Sequence, residues 1–398
     1  MVNVKKVHNR WFQLFRTNVA FWSAAGMMAP FLSAYYKSIG LTSLQIGALF
    51  AISPICAICI QPLWAYVSDK TGKRSTVLGV LAVCTAFACL LYYAGKTFLS
   101  CMAATIVVAL FSSALLPLCD AIVIDRAETF RCNFATIRIG GTLGYALVVV
   151  LVGMLVERWP GIQFALAWMG YLIFALAVWH IPAGEEPERK PARKAAGEAA
   201  SEKGIFVDRE IFFVLLFAFI MSIGLGFCGS FTGVYVLELG HSTKLVGILS
   251  CVSALSEVPV LLCVRKLTKR FGEIPLLILS MAMTSLRLFL IGQGMISAMI
   301  DGQLLQGVTY MTTYYCCTRY ISTHVKPGKI SQGQSVLTLV QSGLAAVTGN
   351  MAGGWLVDYA GTKNAFMTMA MVVLSASGLA AAAYLLYNKG NQHRKQVF

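Results

Sequence analysis

Charged side chains are scarce in this 398-residue chain: Asp, Glu, Lys and Arg together make up 12%, about half the share found in a soluble domain. Histidine is scarcer still. The five, His8, His180, His241, His324 and His393, are scattered over both faces and the tails, so no His/Asp or Cys/His cluster of the kind a membrane-embedded enzyme needs at one interface is present. No GxxxxGK[ST] phosphate loop occurs, which argues against ATP-driven pumping. The twelve cysteines lack metal-ligand spacing and read as small buried hydrophobes. Cys56 and Cys59 make only a formal C-x-x-C on a continuous apolar stretch. The longest polar loop is under thirty residues, which disfavours a receptor or scaffold built on a large soluble domain. No cleavable signal peptide is expected, because the N-terminal residues run into a full-length first span.

What fills the chain is apolar. It is 58% hydrophobic, with a mean hydropathy of +0.71. A spanning helix takes about 20 mostly apolar residues, and backbone in lipid must bond within helices or closed barrels. The runs are continuous rather than alternating, so they predict helices. Twelve are expected, over 16–38, 42–67, 75–95, 98–124, 134–157, 162–181, 211–236, 244–266, 274–294, 296–322, 332–357 and 364–387, and are numbered helix 1 to helix 12 in that order. An even number puts both termini on one side. Of the 32 Lys and Arg residues, 25 fall on that side, while Lys37, Lys96, Arg158, Lys244 and Lys363 fall on the other and Arg138 and Arg287 lie within helices. The positive-inside rule then makes both termini cytoplasmic, and a bacterial cytoplasmic membrane is the expected location. The net charge of +15 does not indicate nucleic acid, since the bases sit in short loops at helix ends, where they fix orientation and meet anionic lipid.

The one long polar stretch, 182–210, is rich in Pro, Ala, Glu, Lys and Arg, the composition of a linker. It divides the chain into a six-helix bundle over 1–181 and another over 211–398. Aligning helix 2 with helix 8 puts Gly47 on Gly247, Ser53 on Ser253 and Gly72 on Gly272, and the same offset of 200 takes Gly153 to Gly353 and Gly161 to Gly361. Internal duplication explains this economically. Parallel six-helix halves, a basic linker and a charged loop between helices 2 and 3 resemble the major facilitator superfamily. The loop "WAYVSDKTGKR" (64–74) is similar to that family's G-x-x-x-D-R-x-G-R-K: Asp69 and Gly72 match, Lys73 and Arg74 match in charge, Lys70 stands for the first Arg, and Ala65 replaces the leading Gly. The resemblance implies an all-α integral membrane protein of twelve helices in two pseudo-symmetric halves. It further implies a gating latch in which Asp69 caps or pairs across to the other half while Lys70, Lys73 and Arg74 engage helix ends and lipid. A solvated loop obeying the positive-inside rule is the plainer reading.

Several segments resemble the branch containing lactose permease, nucleoside–proton symporters and 3-phenylpropionate permease: "LPLCDAIVID", "IRIGGTLGYAL", "VGILSCVSALSEVPV", "SLRLFLIG" and "RYIS", in that order. Charges within spans are costly and mark function. Here they are Asp120 in helix 4, Arg138 in helix 5, Glu257 in helix 8 and Arg287 in helix 9, with Asp125, Asp301 and Asp358 near ends. By resemblance to lactose permease, Asp120 and Arg138 form a charged pair that holds substrate, the guanidinium donating to hydroxyls or a carboxylate. A structural ion pair is the alternative. Glu257, thirteen residues past Lys244 and so roughly 20 Å deep, falls by the same resemblance on the acid that couples protons to substrate, with permanent pairing to Arg287 as its alternative. Where lactose permease has a His and a Glu in helix 10, the stretch "LLQGVTYMTTYY" offers Gln306 and Thr309. Neither carries a proton, so Glu257 acts alone or coupling differs, and Gln306 is a candidate ligand donor. In this fold helices 1, 4, 7 and 10 line the cavity, which makes Phe21, Tyr35, Phe227, Phe231, Tyr235 and Tyr310 candidate substrate contacts. Glycines 224, 226, 229 and 233 loosen helix 7 for gating.

These features predict a secondary transporter. Helix 5 has no Gly-Pro kink of the drug-antiporter kind, which favours uptake by proton symport. Two intramembrane arginines and many aromatics suit an aromatic or other small carboxylate; a sugar, a nucleoside or an exported drug would use the same groups. No cofactor or metal is called for. The expected partners are a small-molecule substrate, protons and membrane lipids, with no nucleic acid, and the chain is expected to work as a monomer.

Overall fold

The computed structural model describes residues 4–132, 134–181, 209–325 and 329–397. Of the expected linker, 182–208 lies outside the described residues. Among the described residues there is no strand, and consecutive segments join into twelve rods that follow the expected spans in order. Helix 1 comprises Val4–Met28, a 3-10 turn Ala29–Phe31 and Leu32–Ser38. Helix 2 is Ser43–Thr71, helix 3 is Arg74–Cys89 with Leu90–Tyr93, and helix 4 is Phe98–Ser112 with Leu115–Thr129. Helices 5 to 9 are Phe134–Arg158, Ile162–Trp179, Arg209–Glu238, Thr243–Phe271 and Glu273–Gly292. Helix 10 passes from Ile296–Leu304 through a π-helical turn, Gly307–Met311, to Thr312–His324. Helix 11 likewise runs Ile330–Thr338, Leu339–Ala345 (π) and Ala346–Ala360, and helix 12 is Thr362–Val397.

Nine of these rods, helices 3 and 4 with their joined segments among them, are long and apolar enough to cross a membrane, again among the described residues. The other three, helices 1, 10 and 11, are broken by the Pro30 turn or by a π turn. Proline removes a backbone donor, and a π turn inserts a residue into the ladder. Helix 1 starts at Val4 rather than near residue 16, and helix 12 runs to Val397 rather than 387. Hydropathy marks only the part of a helix that suits lipid, whereas its internal bonds carry it on into water.

Alternation of the rods puts the chain termini and the helix 2–3 loop at one end of the bundle, the terminal end, and the helix 1–2, 5–6, 7–8 and 11–12 loops at the other, the distal end. At the distal end the first six helices meet the last six backbone to backbone. A Cβ added to Gly47 of helix 2 would lie 2.2 Å from the Asn350 carbonyl oxygen of helix 11, and one on Gly354 would lie 2.4 Å from that of Ser43. Helices 8 and 5 repeat the contact, with Gly247 against the Val149 oxygen (2.4 Å) and Gly153 against that of Thr243 (3.1 Å). Only glycine lets main chains approach so closely.

Gly47 and Gly247 thus hold equivalent places. The partner of Gly153, however, is Gly354 rather than the expected Gly353, which faces Phe227 and Phe231 instead. The stretch from Gly153 to Gly161 is one residue longer than that from Gly354 to Gly361, which restores the offset of 200 by Gly161 and Gly361, both at positive φ (94° and 79°). Two polar contacts lock the same end. The Asp358 carboxylate of helix 11 accepts from the Ser43 and Leu44 amides, each at 2.8 Å, and so caps helix 2; Lys37 pairs with Glu238 at 2.7 Å. Toward the terminal end, Leu115–Thr129, Thr312–His324 and Ile330–Thr338 pack extensively only within their own six-helix group. Leu63, Tyr66 and Leu262 are 59%, 64% and 61% exposed there. The cleft between the groups is closed at the distal end and open at the terminal end.

Replacing Asp358 by Ala removes the cap and weakens the closed distal end by about 1 kcal/mol, roughly a fivefold change in the closed-to-open ratio. Gly47→Leu wedges helices 2 and 11 apart. Both variants are expected to speed deuterium exchange in residues 37–46, whereas Gly378→Leu, at a position with nothing within 4 Å, leaves it unchanged.

Candidate functional site

Two polar groups face each other in the cleft. On the side of the last six helices, Arg287 is 5% exposed on helix 9. Its guanidinium donates to the amide oxygens of Gln306 and Gln303, the latter at 2.7 Å. The Gln306 Nε2 group then donates to Glu257 Oε1 at 3.2 Å. Among the described residues Glu257 and Arg287 form no direct ion pair: one amide lies between them, its oxygen toward the cation and its nitrogen toward the anion. Helix 10 can place Gln306 there because Gly307, at the start of its π turn, lies against the Ser256 carbonyl, where a Cβ would approach to 2.1 Å. The Gly307 amide also donates to Ser256 Oγ at 3.1 Å. The helix break is therefore stitched to helix 8 one residue before Glu257. Such π turns are frequent at functional sites.

On the side of the first six helices, the Arg138 guanidinium carbon lies 4.1 Å from the Trp22 ring centroid, a cation–π contact. Tyr145 meets Trp22 edge-on at 6.4 Å. Gly141 leaves room for Asn18 and Trp22, whose atoms a Cβ would approach to 2.2 and 2.5 Å. Asp120 is within electrostatic reach of Arg138 but makes no ion pair with it among the described residues. Five polar atoms in this group are buried and lack a hydrogen-bond partner: Asn18 Oδ1 and Nδ2, Trp22 Nε1, Asp120 Oδ1 and Arg138 Nη1. Buried polar atoms are nearly always satisfied, so three donors and two acceptors at one place mark where a ligand or ordered water bonds. The two groups interact across the cleft. Glu257 feels Arg138 as well as Arg287, and Tyr310 of helix 10 feels Glu257, Arg138 and Asp120.

The remaining expected contacts lie elsewhere. Phe21 is buried against Phe174, with ring centroids 5.2 Å apart. Phe227 and Phe231 are fully buried and pack together at 5.2 Å. Tyr35 and Tyr235 are pseudo-equivalent anchors near the distal end, donating to the Tyr92 and Gly292 carbonyls at 3.3 and 3.1 Å and so tying helix 1 to helix 3 and helix 7 to helix 9. Asp69 does not reach the other half: it accepts from Arg74 at 2.9 Å within its own loop, while Lys70 lies over Tyr66 and Gly72 forms the left-handed helix cap. The physical reason is that the halves are apart at this end, leaving Lys73 exposed and the latch without a partner across the cleft. Asn18, Trp22, Tyr145 and Gln303 were not singled out by sequence reasoning. Asn18 was findable, since a carboxamide inside an apolar span is itself a signal.

Residues 16–368 match the family described as the MFS_1 like family. The chain belongs to the major facilitator superfamily. It is similar to the "Probable 3-phenylpropionic acid transporter" of Escherichia coli (strain K12), 24% identical over 92% of this chain and 96% of that one. It is equally similar to the "Uncharacterized transporter YwbF" of Bacillus subtilis (strain 168), 24% identical over 92% and 91%. The solved structure of the nucleoside transporter NupG superposes with a TM-score of 0.83 at 15% identity, over 94% of this chain and 99% of that one. The chain is thus a multi-pass membrane transporter of the facilitator fold, and not an enzyme.

Replacing Gln306 by Leu leaves Glu257 and one arm of Arg287 without their bonds. A loss of about 1–3 kcal/mol of stability is expected, read as a lower Tm in detergent, and a smaller one for Gln306→Glu, which keeps an acceptor for Arg287.

Proposed function

We propose that this transporter imports a small carboxylate, aromatic acids foremost, together with a proton, by alternating access around the cleft between Arg138 and Glu257. The observation that carries the reading is the set of unpartnered polar atoms around Arg138, facing the Glu257–Gln306–Arg287 chain. A carboxylate fits the free Arg138 Nη1 and the Trp22 and Asn18 donors, with charge-assisted bonds supplying most of the attraction. Trp22, Tyr145 and Tyr310 supply aromatic walls, the Trp22 ring holds the guanidinium, and Asp120 adds a carboxylate nearby. The name of the 3-phenylpropionic acid relative points to the same ligand class.

Glu257 is the proton carrier in this reading, because neither Gln306 nor Thr309 can exchange a proton. As an anion it accepts a charge-assisted bond from Gln306, whose amide is oriented by Arg287; as a neutral acid it keeps only a weaker acceptor and no longer supplies the field that draws helices 8, 9 and 10 together at the cleft. With the termini in the cytoplasm, as the basic loops favour, the state described is open to the cytoplasm. Asp69 and its basic neighbours then meet the other half only when the terminal end closes. The transporter works as a monomer, and 182–210 connects its two bundles. A second reading has one observation in its favour: Asn18 Oδ1 and Asp120 Oδ1 are acceptors, which suit the hydroxyls of a sugar or nucleoside.

Purified protein in liposomes containing a pH-sensitive dye, given aromatic acids, disaccharides and nucleosides in turn, tests both. An aromatic acid is expected to acidify the lumen, Glu257→Gln to abolish that signal, and Arg138→Ala to weaken uptake at least roughly tenfold. Uptake with no pH change would remove the coupling, and a response to sugars or nucleosides alone would remove the acid.

A further inference from the structure

We infer that the distal end carries a second ligand site, a pocket for a small carboxylate with a compact apolar body, held between helix 6 and the start of helix 8. The starting point is a break in pseudo-symmetry. Asp358 stands four residues after Gly354 and caps helix 2 across the cleft with two 2.8 Å bonds. Glu157 stands four residues after Gly153, the counterpart of Gly354, and yet makes no such bond to helix 8 among the described residues. Ser242, at the N-cap of helix 8, gives no side-chain cap, and the Thr243 hydroxyl is turned to the Gly153 carbonyl at 3.2 Å. The first turn of helix 8 therefore keeps a positive dipole end to which no carboxylate is hydrogen-bonded among the described residues.

A cavity of about 200 Å³ occupies this place, bounded by Ser242, Thr243, Glu157 and Gln163 and walled by Val156 and Leu237. Gln163 is 0% exposed, and neither its Oε1 nor its Nε2 has a partner. The chemistry of the occupant follows from the lining. Helix N-terminal amides and an amide N–H call for an anion, the pseudo-equivalent space on the other side holds the Asp358 carboxylate, and the walls are mostly apolar, with Tyr35 and Pro160 beside Val156 and Leu237. Glu157, which also lines the cavity, opposes an anion and so sets the direction in which its neutralisation changes affinity. A bound carboxylate bonded to Gln163 in one half and to helix 8 in the other would tie the halves as Asp358 does. This site stands on its own geometry and not on the reading of the Arg138 cleft.

Benzoate is the probe, titrated by calorimetry into the full-length protein in detergent. In an Arg138→Ala background, which disables the cleft, saturable benzoate binding is expected to persist and to slow deuterium exchange in residues 242–246. Adding Gln163→Leu is expected to weaken it roughly tenfold or more, and Glu157→Gln to tighten it. Gln163→Glu, which supplies a carboxylate from within, is expected to abolish benzoate binding while keeping the slow exchange, and so serves if Gln163→Leu does not fold. Absence of saturable binding in the Arg138→Ala protein, as for a cavity holding only water, overturns the site. So does unchanged affinity in either Gln163 variant. Faster exchange in Glu157→Gln without benzoate, together with no benzoate effect, would overturn it too, since Glu157 would then be the cap. A failure of the cleft reading looks different: Arg138→Ala would leave uptake intact.

Discussion

A buried guanidinium and a carboxylate held apart by one carboxamide set the centre of this transporter. A direct pair in lipid-like surroundings is hard to separate, because removing either partner strands a charge that has already lost its water. With Gln306 between Arg287 and Glu257, the carboxylate is tied by a neutral donor and the two terminal nitrogens of the arginine keep Gln303 and Gln306 as acceptors whatever Glu257 does. The acid can change state without orphaning the base. The π turn at Gly307–Met311 and the close approach of Gly307 to Ser256 exist in service of that geometry, since they bring helix 10 near enough to helix 8 for an amide to bridge.

Most of the fold was legible because the bilayer imposes it. Span length, the run of charges along the chain and the duplication all follow from solvation, and the sequence carries them openly. Less legible was anything decided by a single residue of register. Gly153 takes the role of Gly354 rather than Gly353 because the stretch from Gly153 to Gly161 is a residue longer than that from Gly354 to Gly361, and no pattern of hydropathy reports that. The same holds for Tyr35 and Tyr235. As aromatics on cavity-lining helices they look like ligand contacts, whereas their hydroxyls anchor carbonyls of neighbouring helices. Intramembrane charge pointed to Asp120, Arg138, Glu257 and Arg287, which do converge, but Trp22 was hidden among other aromatics because its significance lies in what it stacks on.

The two halves are alike without being the same. Helix 2 is held by a carboxylate from helix 11, while helix 8 has a cavity where its counterpart cap would be. Duplication gives a transporter two copies of every hinge and seal, and divergence at one copy lets that seal respond to something the other ignores. Beneath this difference the glycine contacts between main chains recur on both sides.

Those glycine contacts have a mechanical character of their own. Where main chain lies directly on main chain, the attraction is mostly dispersion, which loses a quarter to a half of its depth within about 0.5–1 Å of separation. A join of that kind is brittle rather than elastic. It resists until it parts and then offers almost no pull, which favours abrupt separation of the distal end over gradual loosening.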